Sequence, residues 1–181
     1  MQTVAAPYLG SKSSDDERAV LPRTPTLDSL LTLDHDALSA LYRHARVPSI
    51  ADVEGPLRGR MLAVPALPRI ITALPRAWAR TGSFPWRGKS FYGAEADHGH
   101  GINRVASDRL ELFRFRTFVG PSLDDGQDAV RLDYDHPGNP FFIRPIADEI
   151  REISERTYLG QAWLVLGETK RFVLWFGLTH R

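Results

Sequence analysis

From Trp86 to His180 the chain is a succession of short runs rich in aromatic and β-branched residues, and this succession constrains the fold more than any other feature. PWRGKSFYG, GINRV, LFRFRTFVG, AVRLDYD, NPFFIRP, TYLGQAWLVLG and RFVLWFGLTH are separated by clusters of Gly, Pro, Asn and Asp at the spacing of an antiparallel meander. A sheet with so many strands either leaves two edges open to other chains or closes on itself, and closure removes the hazard. The reading is an α+β, mainly β protein: a closed or nearly closed antiparallel β-barrel covered by short N-terminal amphipathic helices.

Those helices precede the strands. Thr26 or Asp28 can cap one, and Asp34 a second in which Ala37, Leu38, Leu41, Tyr42 and Ala45 recur at helical spacing ahead of Pro48. Gly59 and Pro65 make Leu57 to Val64 an extended piece. In residues 66–81, Leu67, Ile71, Leu74 and Trp78 fall on one helical face, with Arg69, Arg76 and Arg80 opposite and Pro75 as a bend. Such a helix serves as structural cover, as a lid over the barrel mouth, or as a docking surface for an anionic membrane. Residues 1–25, with SKSSDDER, read as a poorly ordered tail, leaving 26–181 as a single barrel domain.

The chain has no cysteine, which excludes disulfides, thiolate metal sites and cysteine nucleophiles. Its net charge of +1 conceals a basic island, for Gly55 to Ala94 holds seven cations and no acid. That island lacks the helix-turn-helix or stacking-platform context of nucleic-acid binding, so no nucleic-acid partner is expected. No secretory signal or spanning apolar run is evident, and a cytoplasmic location follows as the default. Nucleophile elbow, phosphate loop, dinucleotide fingerprint and zinc motif are all missing, so no cofactor or metal is expected. His98 and His100 in DHGHG read as a solvated loop, and His180 stands alone near the end of the last strand.

IADEIREI, residues 146–153, fits either a helix with Ile146, Ile150 and Ile153 on one face or a strand with charge on both. Its place between two strand-like runs favours a strand over Asp148 to Ile153. A strand sends either Asp148 and Glu152 or Glu149 and Arg151 inward, which is costly unless the interior is polar. In the preceding hairpin, pairing Val119 with Val130 sets Thr117 opposite Leu132, Phe115 opposite Tyr134 and Phe113 opposite His136. The other face then matches Arg116 with Asp133 and Arg114 with Asp135. Either the aromatics point inward above a surface ion-pair ladder, or the charges line the pocket.

WRGKSF, residues 86–91, resembles the W-x-G-K-x-F segment of small bacterial proteins named for a Gly-x-Trp-x-Gly motif. AVRLDYD, ADEIREI and YLGQAW follow as their later strands do, although Gly59-Arg60-Met61 stands where Gly-x-Trp would be. The resemblance implies a lipocalin-like barrel of unsettled function that takes an apolar small molecule, and the expected function is binding of a small hydrophobic or amphipathic ligand such as a lipid, terpenoid or polyketide acid in the barrel cavity. Trp86, Arg87, Lys89, Phe113, Phe115, Tyr134, Arg151, Trp163 and Trp175 are the candidate ligand-binding residues, with Arg87, Lys89 or Arg151 available to orient a carboxylate. The alternative is an isomerase or cyclase without a cofactor, using the same cavity, with Tyr134, His136, Asp148, Glu149, Arg151 and Glu152 as candidate catalytic groups. A third reading is an interaction protein that docks on a membrane surface through the basic helix.

Overall fold

Alternation of side chains along eight strands decides the architecture, and a computed structural model describes it for residues 25–62, 86–95, 97–106 and 109–180. The strands are β1 (Gly55–Met61), β2 (Trp86–Tyr92), β3 (His98–Val105), β4 (Glu111–Pro121), β5 (Asp128–Asp133), β6 (Ile146–Ser154), β7 (Thr157–Leu166) and β8 (Thr169–His180). Each pairs antiparallel with its sequence neighbour, and β8 pairs with β1, so the sheet closes in the order β1 to β8. Closure satisfies both edges of the sheet. The arginine-striped segment 66–81 and the proposed tail, apart from Pro25, lie outside the described residues.

The inward positions form the main core, which includes Leu57, Phe91, Phe115, Val130, Leu132, Ile150, Tyr158, Phe176 and Leu178. Several large rings fit because glycine faces them. A Cβ at Gly101 would lie 2.4 Å from the Phe115 ring, and one at Gly160 would lie 2.3 Å from that of Phe176. Ile50, just before the short 3-10 turn Ala51–Val53, and Val53, its last residue, join this core and close one end of the barrel. There Tyr158 donates to the Asp52 carbonyl at 2.8 Å, beside His180.

The two helices do not cap an end; they pack on the outer wall. Helix α1 (Leu27–Leu30) is capped by Thr26 and α2 (His35–Arg43) by Asp34, as the sequence suggested. Leu30, Leu38 and Tyr42 cover the outward residues Leu159 and Trp175 of β7 and β8 in a second apolar cluster. A one-turn helix has too little surface to cover a barrel mouth, whereas the apolar outer faces of β7 and β8 need cover along their length. Among the described residues no helix is long and apolar enough to cross a membrane.

Two local readings are corrected. DHGHG is not a loop: His98 opens β3, with His98 and His100 exposed on it, because glycine in an edge-free ladder is tolerated once both neighbours pair. NPFFIRP is not a strand but a turn-rich connection between β5 and β6, where its two prolines cannot donate to a ladder.

Candidate functional site

The site begins with two irregularities in the ladder. The pairing of β2 with β3 shifts between Trp86 and Gly88, and that of β3 with β4 between Ile102 and Asn103. Gly88 takes φ +133°, and a Cβ there would stand 2.0 Å from the Leu57 carbonyl oxygen, so only glycine lets β1 approach. Phe113, the extra residue opposite Asn103, holds φ +62°. Bulges of this kind re-aim side chains. Here they flank Lys89 and Asn103, whose side chains meet within the barrel.

Strands β2 and β6 are four apart in a ring of eight, on opposite walls. Lys89 of β2 nevertheless reaches Asp148 of β6, Nζ to Oδ2 at 2.7 Å, so the ion pair spans the lumen. Lys89 and Asp148 are 2 % and 4 % exposed. Tyr134, just beyond β5, adds its hydroxyl at 2.6 Å from Nζ and donates to Asp148 Oδ2 at 2.9 Å. Asn103 Oδ1 accepts from Lys89 at 2.9 Å and from Trp86 Nε1 at 3.0 Å, while its Nδ2 donates to the Tyr134 hydroxyl at 2.9 Å and the Phe113 carbonyl at 3.2 Å. Around the ammonium stand the rings of Trp86, Phe115, Tyr134 and Phe176, with centroids 5.1–5.3 Å from Nζ.

Counting donors defines what this cluster can still bind. An ammonium has three hydrogens, and Asn103, Tyr134 and Asp148 take all of them. Asn103 and Trp86 are likewise committed. Within the cluster, Asp148 Oδ1 is the buried atom left without a hydrogen-bond partner. The cluster is thus neutral as a pair and presents an acceptor to the interior. Burial pulls the Lys89 amine below the ordinary lysine range, against the opposing pull of Asp148. Burial first, and then the Asp148 charge, pushes the Tyr134 hydroxyl well above the usual phenol value.

Of the candidate ligand-binding residues, Trp86, Lys89, Phe115 and Tyr134 meet here, and Phe113 packs against the same core. Four do not. Arg87 is the bulged residue and is exposed. Trp163 and Trp175 point outward, Trp175 beneath the helices and Trp163 against Phe172. The bulge between Ala162 and Trp163 leaves that outward face unchanged, since Ala162 and Leu164 keep the inner one.

Arg151 is buried on the outer wall. It forks onto Asp125 at 2.7 and 2.8 Å, donates to the carbonyls of Tyr42, Gln127 and Asp128, and lies 4.5 Å from the centroid of the Tyr42 ring. It therefore fastens α2 and the β4–β5 loop to β6, and its hydrogen bonds hold the Asp125 carboxyl below the usual range.

The charged strand is β6, and it faces both ways. Asp148, Ile150 and Glu152 share the inner parity, but only Asp148 joins the cluster; Glu152, at the other end of the strand, pairs with Arg46 and accepts from the Arg156 amide. Glu149 lies outside beneath the β4–β5 loop, accepting from Ser122 Oγ at 2.7 Å and the Leu123 amide at 2.8 Å. His136 sits in the β5–β6 connection, accepting from the Gly138 amide, and does not reach the site. The hairpin keeps the register Val119–Val130, Thr117–Leu132 and Arg116–Asp133, with Arg116 bonded to Asp133 at 2.5 Å. Arg114 and Asp135 do not pair, because β5 ends at Asp133, Asn139 occupies the Arg114 backbone, and Asp135 turns to Arg144. Aromatics take the inner face and the ladder's charges the outer.

Asn103 and Phe176 were not singled out from sequence. GINRV showed only a short strand, and nothing local marks Asn103 as inward once a bulge has displaced the alternation.

With that geometry in view, comparison reaches the fold and stops there. No protein-family model matches the chain, and no curated protein matches it. A solved structure does: "Crystal structure of protein from Thermomonospora curvata", with TM-score 0.51, 16 % identity, and 82 % of this chain and 88 % of that one covered. The likeness is one of fold. The barrel implied by WRGKSF is present, with the lipocalin-like architecture of a closed eight-stranded antiparallel sheet, while kinship with the Gly-x-Trp-x-Gly proteins is not shown.

Two recesses bounded by described residues are external. One, of about 560 Å³, is lined by residues including Phe118, Arg131, Phe141 and Arg144; the other, of about 410 Å³, lies between Arg46 and Glu152. Neither contains Lys89 or Asp148.

Proposed function

We propose that the barrel binds a small, mainly apolar molecule at the Lys89–Asp148 cluster, and that the ligand carries a hydrogen-bond donor. The observation behind this is Asp148 Oδ1, a buried carboxylate oxygen without a partner, in a cluster whose ammonium is ringed by aromatic side chains. Leaving such an atom unpaired costs about 1–3 kcal/mol or more, which a hydroxyl or N–H on the ligand would recover. The committed donors of Lys89 argue against a carboxylic acid as the first choice, since no free cation remains for it in the cluster. Trp86 and Phe113, both partly exposed, are the rings that a ligand would displace on entry.

The reading is tested with matched pairs of an alcohol and its methyl ether, from terpenoid and aryl series, titrated against Trp fluorescence. A hydrogen bond to a buried carboxylate predicts that the alcohol binds about 10- to 100-fold more tightly than the ether. Equal affinity, or no binding by either, together with no copurifying molecule in native mass spectra of protein taken from cells, would remove the proposal. A second reading, proton transfer by a cofactor-free isomerase or cyclase, is favoured by the convergence of Tyr134 and Asp148 at 2.9 Å. Asp148 Oδ1 would be its base.

A further inference from the structure

Lysine is scarce in this chain, three residues against 20 arginines, and only Lys12, Lys89 and Lys170 carry an ε-amine. Lys170 is exposed on β8, whereas Lys89 is placed in the middle of the barrel. An arginine there would have supplied a permanent, forked cation; lysine, unlike arginine, can shed its proton and act as a nucleophile. Its three neighbours within 3 Å are groups able to move protons or orient a nucleophile, Asp148, Tyr134 and Asn103, and the remaining walls are rings.

From this arrangement we infer that Lys89 forms an imine with apolar aldehydes or ketones admitted to the barrel. The inference rests on the proposed interior binding of small apolar molecules and names a carbonyl class for it.

The step balances with the groups in place. Lys89 passes one proton to Asp148 Oδ2 at 2.7 Å, leaving a neutral amine and a carboxylic acid. The nitrogen lone pair bonds to the carbonyl carbon as the C=O π electrons move to oxygen. The Tyr134 hydroxyl, 2.6 Å from Nζ, relays a nitrogen proton to that oxygen, giving a neutral carbinolamine. Asp148 returns its proton to the hydroxyl, the C–O bond breaks, water leaves, and a protonated imine remains beside the Asp148 carboxylate. Ammonium plus carbonyl has become iminium plus water, with one positive charge before and after. That charge stays inside the cage of rings that already surrounds Nζ, so no new desolvation is incurred. The lowered proton affinity of the buried amine works in the same direction.

The test is reductive trapping on the intact chain. Cinnamaldehyde, geranial and decanal are each incubated with the protein and cyanoborohydride near neutral pH, with cinnamyl alcohol, geraniol and decanol as non-covalent controls. The expected result is a single adduct, mapped by peptide mass spectrometry to Lys89 before Lys12, Lys170 or the terminal amine react. Asp148→Asn and Tyr134→Phe should each slow trapping by about 100-fold, the size of a general acid–base contribution, while the surface reaction at Lys170 is unchanged. The wild-type map decides the matter even where a variant folds poorly. Alcohols that bind, with aldehydes that label only surface amines, would overturn the imine and leave the binding proposal standing. If neither class binds and Lys89 stays unlabelled, both fall.

Discussion

The lumen-spanning ion pair makes a quantitative claim about stability that substitutions at its two ends can check. Lys89→Met removes the ammonium and fills much of its volume, but it strands the buried Asp148 carboxylate, 4 % exposed, with only the Tyr134 hydroxyl bonded to it. Breaking a buried pair from one side costs about 3–5 kcal/mol. Asp148→Asn strands the ammonium instead; Lys89 keeps Tyr134 and Asn103 and can neutralise, so about 2–3 kcal/mol is expected. The double variant Lys89→Met/Asp148→Asn leaves no charge in the cluster and should lose no more than about 2 kcal/mol, a coupling of about 3 kcal/mol or more. Against a total of roughly 5–15 kcal/mol for a domain, Lys89→Met alone should lower Tm by about 6–20 °C. Urea denaturation of the four proteins, with m held common, measures each corner of the cycle. If the single penalties simply add, within about 0.5 kcal/mol, the two side chains do not share a buried bond and the strut is wrong.

Other perturbations probe separate parts of the design. Gly160→Ala drives a methyl into the Phe176 ring and toward Ile150 Cγ2 at 2.9 Å, so a loss of about 1–3 kcal/mol should appear with altered Trp86 fluorescence; an unchanged melt would mean that the ring has room to move. Arg151→Lys keeps the charge but not the fork, and about 2 kcal/mol of stability should go, with faster amide exchange confined to α2 and the β4–β5 loop; uniform exchange would contradict its role as a fastener. Tyr42, Tyr134 and Tyr158 are all raised above the ordinary phenol value, chiefly by burial. Their contribution is complete below the unfolded value of about 10 and declines as pH rises beyond it, by up to about 1.4 kcal/mol per pH unit for each. Lys89, depressed, acts with the opposite sign, and its influence is spent by about pH 10.4. Tyrosinate absorbance should therefore show Tyr42, Tyr134 and Tyr158 ionising only with unfolding; their titration before the fold is lost would refute their burial.

What a chain of this kind determines by itself is whatever depends on neighbours in sequence. Thr26 and Asp34 announce helix starts because a cap is a contact over three residues. The Arg116–Asp133 match announces a hairpin register because the intervening loop is short and period-two alternation ties each pair to the next. The charged run from Asp148 is recognisable as a strand between strands, and its two faces can be enumerated. Which face turns inward, and whether an inward charge finds a partner, is decided elsewhere. Asp148 is matched by Lys89, 59 positions earlier, through closure of eight strands and two bulges that shift the local parity. Arg151 and Glu149 look equivalent to it in sequence, yet they lie outside because a loop and a helix fold over them. Trp175 reads as a ligand wall until α1 and α2 are laid on the barrel's flank, and Trp163 until it is seen to pack on the outside against Phe172. Burial is a property of what packs opposite a side chain, and in a closed sheet the opposite wall is remote in sequence.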